Sequence, residues 1–171
     1  MAIIELPGRA RPKIHDLAFV DPTALVIGEV EIRERACIWM YTIVRADDAP
    51  ITIGKESTIL EQCLIETAGT GVVIGENALV NHCAVVHGAK IENGALVGIR
   101  AVVSKGARIG EGAVVSDGAF VPPNMEVPRY KLISGIPAKV LRDLSDEEIK
   151  ANKNWFHDLT EKAMIYKKIR K

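Results

Sequence analysis

Aromatic residues are scarce: Phe, Tyr and Trp make up 5% of the 171 residues, while hydrophobic residues as a class make up 48%. A core of large stacked rings is excluded, so small and branched aliphatics must fill the interior. An excess of either charge is also missing, because 22 Lys plus Arg face 22 Asp plus Glu. That balance gives no basic face, and no nucleic-acid partner is expected. Cys37, Cys63 and Cys83 form no CxxC pair and leave one thiol over, which excludes a disulfide framework. They read as small packed residues, with Cys83 set apart because it directly follows His82. No apolar run approaches the roughly twenty residues of a membrane span, and the apolar start before Pro7 and Gly8 is too short for a secretory leader. A cytoplasmic chain with no membrane partner and one sizeable core is therefore expected.

What the sequence does have is a beat. From Ile14 a β-branched aliphatic recurs every six residues, at Val20, Val26, Ile32, Ile38 and Val44. After an insertion of three residues it resumes at Ile53, Ile59 and Ile65, and after a second such insertion at Ile74, Val80 and Val86. One residue is then dropped, and Ile91, Val97, Val103, Ile109, Val115 and Val121 follow. Four places after most of these anchors stands a small residue, among them Ala18, Ala36, Cys63, Ala84 and Ala113. Such a period predicts short strands that bend at every hexapeptide and wind into a three-walled prism of about six coils. The stiff branched side chain points inward from each strand, the small one fills the space between walls, and glycines such as Gly54 and Gly75 serve the corners. A β-sandwich also uses short strands and glycine turns, but its turns would not hold a six-residue period.

The beat is expected to fail after Val121, where Pro122 and Pro123 begin an extended stretch. Residues 1–143 are thus assigned to the prism with its N-terminal cap and extended tail, and 144–171 to a C-terminal helix packed on it. Ser145 and Glu148 form a capping box that starts this helix. Ile149, Trp155, Phe156, Leu159, Ala163, Tyr166 and Ile169 roughly trace its apolar stripe, and its basic end reads as solvated.

Coil register sorts the polar residues into columns. Arg45, Glu66 and His87 each follow an anchor by one place, with one coil between successive members, so they should stack. Glu61 and His82 each follow an anchor by two places and should stack on a different face. His15 and His157 lie in the end segments and read as incidental. Two columns of metal-competent residues on the same coils suit a cleft between subunits. They suit equally a polar ladder that holds an oligomer together.

The run Ile43, Val44, Arg45, Ala46, Asp47, the segment from Asn81 to Ala89, the Cys37-Ile38-Trp39 stretch and the run Ser134 to Lys139 together resemble the γ-class carbonic anhydrases. The resemblance covers nearly the whole chain. It implies an all-β, single-stranded, left-handed parallel β-helix that assembles as a homotrimer. Three histidines of that family hold zinc or iron between subunits, and two of them correspond to His82 and His87. Glu66 stands where the remaining histidine belongs, which gives a candidate ligand set of Glu66, His82 and His87. Arg45 and Asp47 match a VRGD-like motif in which Ala46 replaces glycine. Leu60 and Glu61 stand where the family has a Gln-Asp pair. Leu60 cannot hydrogen-bond, although both it and Glu66 are expected to face the interface rather than the core.

Two histidines and a carboxylate are a legitimate set for zinc or iron. Arg45, however, is placed to draw Glu66 away from a metal, and a carboxylate ligand makes bound water less acidic. The leading reading is hydration of carbon dioxide to bicarbonate, with Glu61 as proton acceptor and Arg45 and Asp47 supporting the site. The alternatives are a non-catalytic trimeric scaffold or metal-binding protein, and an acyltransferase that uses acyl-coenzyme A. The short insertions near Asp48 and Thr67 give the last no substrate lid.

Overall fold

The computed structural model describes residues 2–170 and is a left-handed parallel β-helix of about seven turns followed by one helix. Its three walls are ladders of parallel strands in unbroken register. One ladder stacks Val26, Val44, Ile65, Val86, Val103 and Val121. The second stacks Ile14, Ile32, Ile53, Ile74, Ile91, Ile109 and Val127. The third stacks Val20, Ile38, Ile59, Val80, Val97, Val115 and Ile133. The anchors from Val26 onward, with most of the small residues four places on, form one buried cluster along the prism axis, and Ile14 and Val20 pack against it partly buried.

The expected end of the beat at Val121 is therefore corrected. Val127 and Ile133 continue it at the same spacing, because Pro122 and Pro123 follow the last strand of the first wall. Elsewhere the amide one place past an anchor donates to the next coil, as from Ser104 to Val121, but among the described residues no further coil requires it here. Asn124 takes the left-handed conformation that turns the corner, at φ 60°. The parallel coil then closes with an antiparallel hairpin, Lys131–Gly135 against Ala138–Asp143.

The corner glycines also have a different reason from the one expected. The left-handed position lies three places past the anchor, at residues such as Gly94, Gly106, Asn77 and Cys83. Gly54 and Gly75 instead follow their anchors directly, where a Cβ would meet backbone of the next coil or its neighbour's side chain at 2.5–2.7 Å. Stacking distance, not torsion, excludes a side chain there. Both three-residue insertions are absorbed at one corner and lie against each other, with the Gly69 amide donating to Asp48 Oδ2 at 2.6 Å. Neither forms a lid.

The helix spans Asp146–Ile169, and its capping box is in place: the Glu148 amide donates to Ser145 Oγ at 3.2 Å and the Ser145 amide to Glu148 Oε2 at 2.9 Å. It lies on the third wall. Phe156 and Ala163 join Phe19, Cys37, Trp39, Leu60, Leu79 and Leu96 in a second apolar cluster. Trp155 and Ile169 fall outside this stripe, at 40% and 70% exposure. Nor is the basic end simply solvated. Lys167 Nζ donates to the carbonyls of Asp16 and Ala18, and Arg170 pairs with the fully buried Asp21 at 2.6 Å. The far end of the helix is thereby clasped to the first coil.

Leu60 is the second correction. It is 3% exposed beneath the helix and does not face a site. Because the column through Trp39, Leu60 and Asn81 carries the helix, an apolar residue here is a packing requirement. Leu60→Gln is expected to lower stability by about 2–4 kcal/mol through an unpaired buried amide and lost packing, measured by urea unfolding. Asp21 supplies a pH-dependent term. Burial raises its carboxyl pKa, but hydrogen bonds from Thr23 and the Arg170 guanidinium outweigh this and hold it below the ordinary value. A depressed native pKa stabilises above the unfolded value near 3.9 and is lost as pH falls through the native one. Stability should therefore drop on acidification through that window, and Arg170→Ala should make the drop shallower.

Candidate functional site

Strand register brings the predicted column together. Arg45 pairs with Glu66 and Glu66 with His87 on three adjacent strands of the first wall. All three follow inward anchors, so their side chains leave the prism on the same side. Arg45 Nη2 lies 2.5 Å from Glu66 Oε2, and His87 Nδ1 lies 2.8 Å from Glu66 Oε1. Arg45 Nε also holds Asp47 Oδ2 at 2.8 Å. The four residues thus form a continuous chain of polar contacts: Asp47, Arg45, Glu66, His87. Glu66 is its least exposed member at 16%, and both its oxygens are engaged.

The other predicted pair also forms. His82 Nδ1 lies 2.8 Å from Glu61 Oε2 at the corner between the third and first walls. Asn81, which the sequence reading left without a role, is buried before this turn and accepts from the His82 amide through Oδ1 at 2.9 Å. Its position directly before the histidine was the only signal for it. Each imidazole therefore has Nδ1 against a carboxylate. The His87 contact has hydrogen-bond geometry, so with Nδ1 as its donor Nε2 is the free acceptor of that ring. The His82 contact is one of distance only and leaves Glu61 Oε2 buried without a hydrogen bond. Both rings are more than 40% exposed.

Among the described residues, no three of His, Cys, Asp and Glu converge to hold a metal within one chain. The His82 and His87 pairs belong to separate columns, and Glu66 is tied to Arg45 and His87. The donor set fits a metal at the two free imidazole nitrogens, provided that two copies meet. Carboxylate partners on the opposite nitrogens are what a ligating histidine uses to fix tautomer and orientation.

The cysteines divide as expected. Burial pushes the Cys37 and Cys63 thiols up to about 12, so both are inert. Cys83 is half-buried at a left-handed corner, with Sγ 3.4 Å from Gln62 Oε1.

No protein-family model matches the chain. Curated relatives do. The chain is 35% identical over 145 residues to gamma carbonic anhydrase 2 of Arabidopsis thaliana, a match that covers 81% of this chain and 52% of that protein. It is 40% identical over 137 residues to a probable carbonic anhydrase of Methanocaldococcus jannaschii, covering 76% of this chain and 82% of that one. The chain belongs to the γ-carbonic anhydrase family. It spans about half the length of its Arabidopsis relatives. Among solved structures, a candidate acetyltransferase of Bacillus cereus superposes with a TM-score of 0.96 at 30% identity, covering 98% of both chains. The family scaffold is therefore shared with proteins described as transferases. No described helix is long and apolar enough to cross a membrane.

Thiol chemistry checks the local structure. In the native protein, iodoacetamide should modify Cys83 alone, and denaturation should release all three thiols, as counted by mass spectrometry. Modification of Cys37 before unfolding would mean that the helix does not seal the third wall.

Proposed function

We propose that this chain acts as a homotrimer whose sites lie between copies, with His82 of one copy and His87 of the next holding a zinc or iron ion. The observation that carries this reading is the pair of carboxylate–imidazole contacts, Glu61 to His82 and Glu66 to His87. Each leaves one free ring nitrogen on an exposed part of the prism. A closed cyclic assembly would bring the two columns of adjacent copies face to face.

When bound, such a metal supplies a Lewis acid that acidifies water for attack on carbon dioxide. The chain's own residues then have separate tasks. Glu61 lies against His82 and is the carboxylate assigned to accept a proton released at the site. Glu66 holds the proton on His87 Nδ1. Arg45 offsets the negative charge that Glu66 would bring to a metal, and Asp47 holds the guanidinium in place. Because Arg45 and His87 occupy both Glu66 oxygens, a third donor equal to an imidazole is lacking, and slow hydration is expected.

The transferase reading has one observation in its favour. Glu61–His82 is also the arrangement of a general base oriented by a carboxylate, and it needs no metal. Metal dependence separates the two readings.

Light scattering should give a mass near three chains. In anaerobically purified protein, His82→Ala or His87→Ala should each lower bound metal more than about tenfold with the fold intact. Glu66→His should raise the hydration rate per bound metal, since it releases Arg45 and supplies a neutral donor. A monomer, or unchanged metal in both alanine variants, would remove the shared site.

A further inference from the structure

The helix seals the outward side chains of the third wall from Phe19 through Leu79. Beyond them an open groove of about 640 Å³ lies between helix and corner, lined by His82, Leu96, Ile99, Val114, Asp117 and Trp155 among others. Ile99 and Trp155 are 38% and 40% exposed there. They put two large apolar side chains on solvent beside a polar histidine.

The order of residues along the groove follows from register. His82, Ile99 and Asp117 each lie two places past their anchors Val80, Val97 and Val115, which stack in successive coils. At about 4.8 Å per step, His82 and Asp117 are roughly 10 Å apart along the prism, with Ile99 between them. The Ile99 amide donates to Asp117 Oδ1 at 2.7 Å, which fixes the carboxylate at the rim. Among the described residues, no lysine or arginine lines the groove. An apolar floor, one exposed carboxylate, an indole face and no cation are complementary to a positively charged ligand with an apolar body. Carbon dioxide would use none of this surface.

We propose that the groove binds an organic cation, a primary amine carried on an alkyl or aryl body. The ammonium pairs with Asp117, the body lies over Ile99, Val114 and Trp155, and its far end approaches His82. The inference rests on the reading of His82 as a site residue only in placing that far end beside the reaction centre.

The chain has two tryptophans, so Trp39→Phe leaves Trp155 as the sole fluorescent reporter. Ethylamine, butylamine and hexylamine are titrated, with hexanol and hexanoate as controls. Affinity should rise by up to about fourfold per added methylene, and hexylamine should bind more tightly than hexanol, and hexanol more tightly than hexanoate. Asp117→Asn should erase the preference for amine over alcohol yet keep the dependence on chain length. Ile99→Asn should flatten that dependence. Trp155→Phe in the otherwise unchanged chain should abolish the response, a control that needs no change at Trp39. Equal affinity along the amine series, or hexanoate binding as well as hexylamine, overturns the proposal. So does dissociation of the oligomer by Ile99→Asn, which would make the groove a contact between copies. Metal content is read on the same samples: metal without amine binding overturns the groove alone, and amine binding without metal overturns only the metal reading.

Discussion

Parallel coils hydrogen-bonded at one strand spacing are the constraint on which everything else in this molecule depends. Each coil must present an inward anchor at the same height on each wall, or the next coil loses both its hydrogen bonds and its packing. That is why the insertions before Ile53 and Ile74 and the deletion before Ile91 are confined to one corner while the ladders continue in register. It is also why Gly54 and Gly75 cannot carry a side chain: the neighbouring coil occupies the space.

The same constraint creates the polar columns. A residue one place past an anchor has its counterpart one coil away at about 4.8 Å, so charges repeated at coil spacing become contacts without long-range folding information. Arg45, Glu66 and His87 are such a set, and the central carboxylate satisfies the guanidinium on one side and the imidazole on the other. The arrangement has a chemical consequence. A carboxylate that supports a histidine and also neutralises an arginine has little capacity left to serve as a strong metal ligand.

The helix adds what the prism cannot supply. An isolated wall would leave Phe19, Trp39, Leu60 and Leu79 on solvent, and the helix covers them with Phe156, Ala163 and the partly buried Tyr166. Trp39 stacks against Phe19 edge-on and against Tyr166, with ring centroids 5.8 and 5.1 Å apart, so half of the few aromatics are gathered at this one seam. The clasp of Lys167 and Arg170 onto the first coil then ties the helix end to the start of the prism.

The sequence by itself determined the walls, because a period of six with branched anchors has one repeating solution, and it determined the columns, because register along a solenoid is arithmetic. The capping box was legible for the same reason: its partners are three residues apart. The stop at Pro122 was misread, since proline is excluded where its amide must serve the next coil but harmless after the last strand of a wall, and a linear pattern does not say where a wall ends. Leu60 was placed at a site by analogy with the relatives; only the packed helix showed it to be seam. Likewise Lys167 and Arg170 find their partners about 150 residues away. The groove beside His82 also needed the helix in place. Contacts between elements remote in sequence depend on where one surface ends against another, and no local period encodes that; tertiary structure decided them.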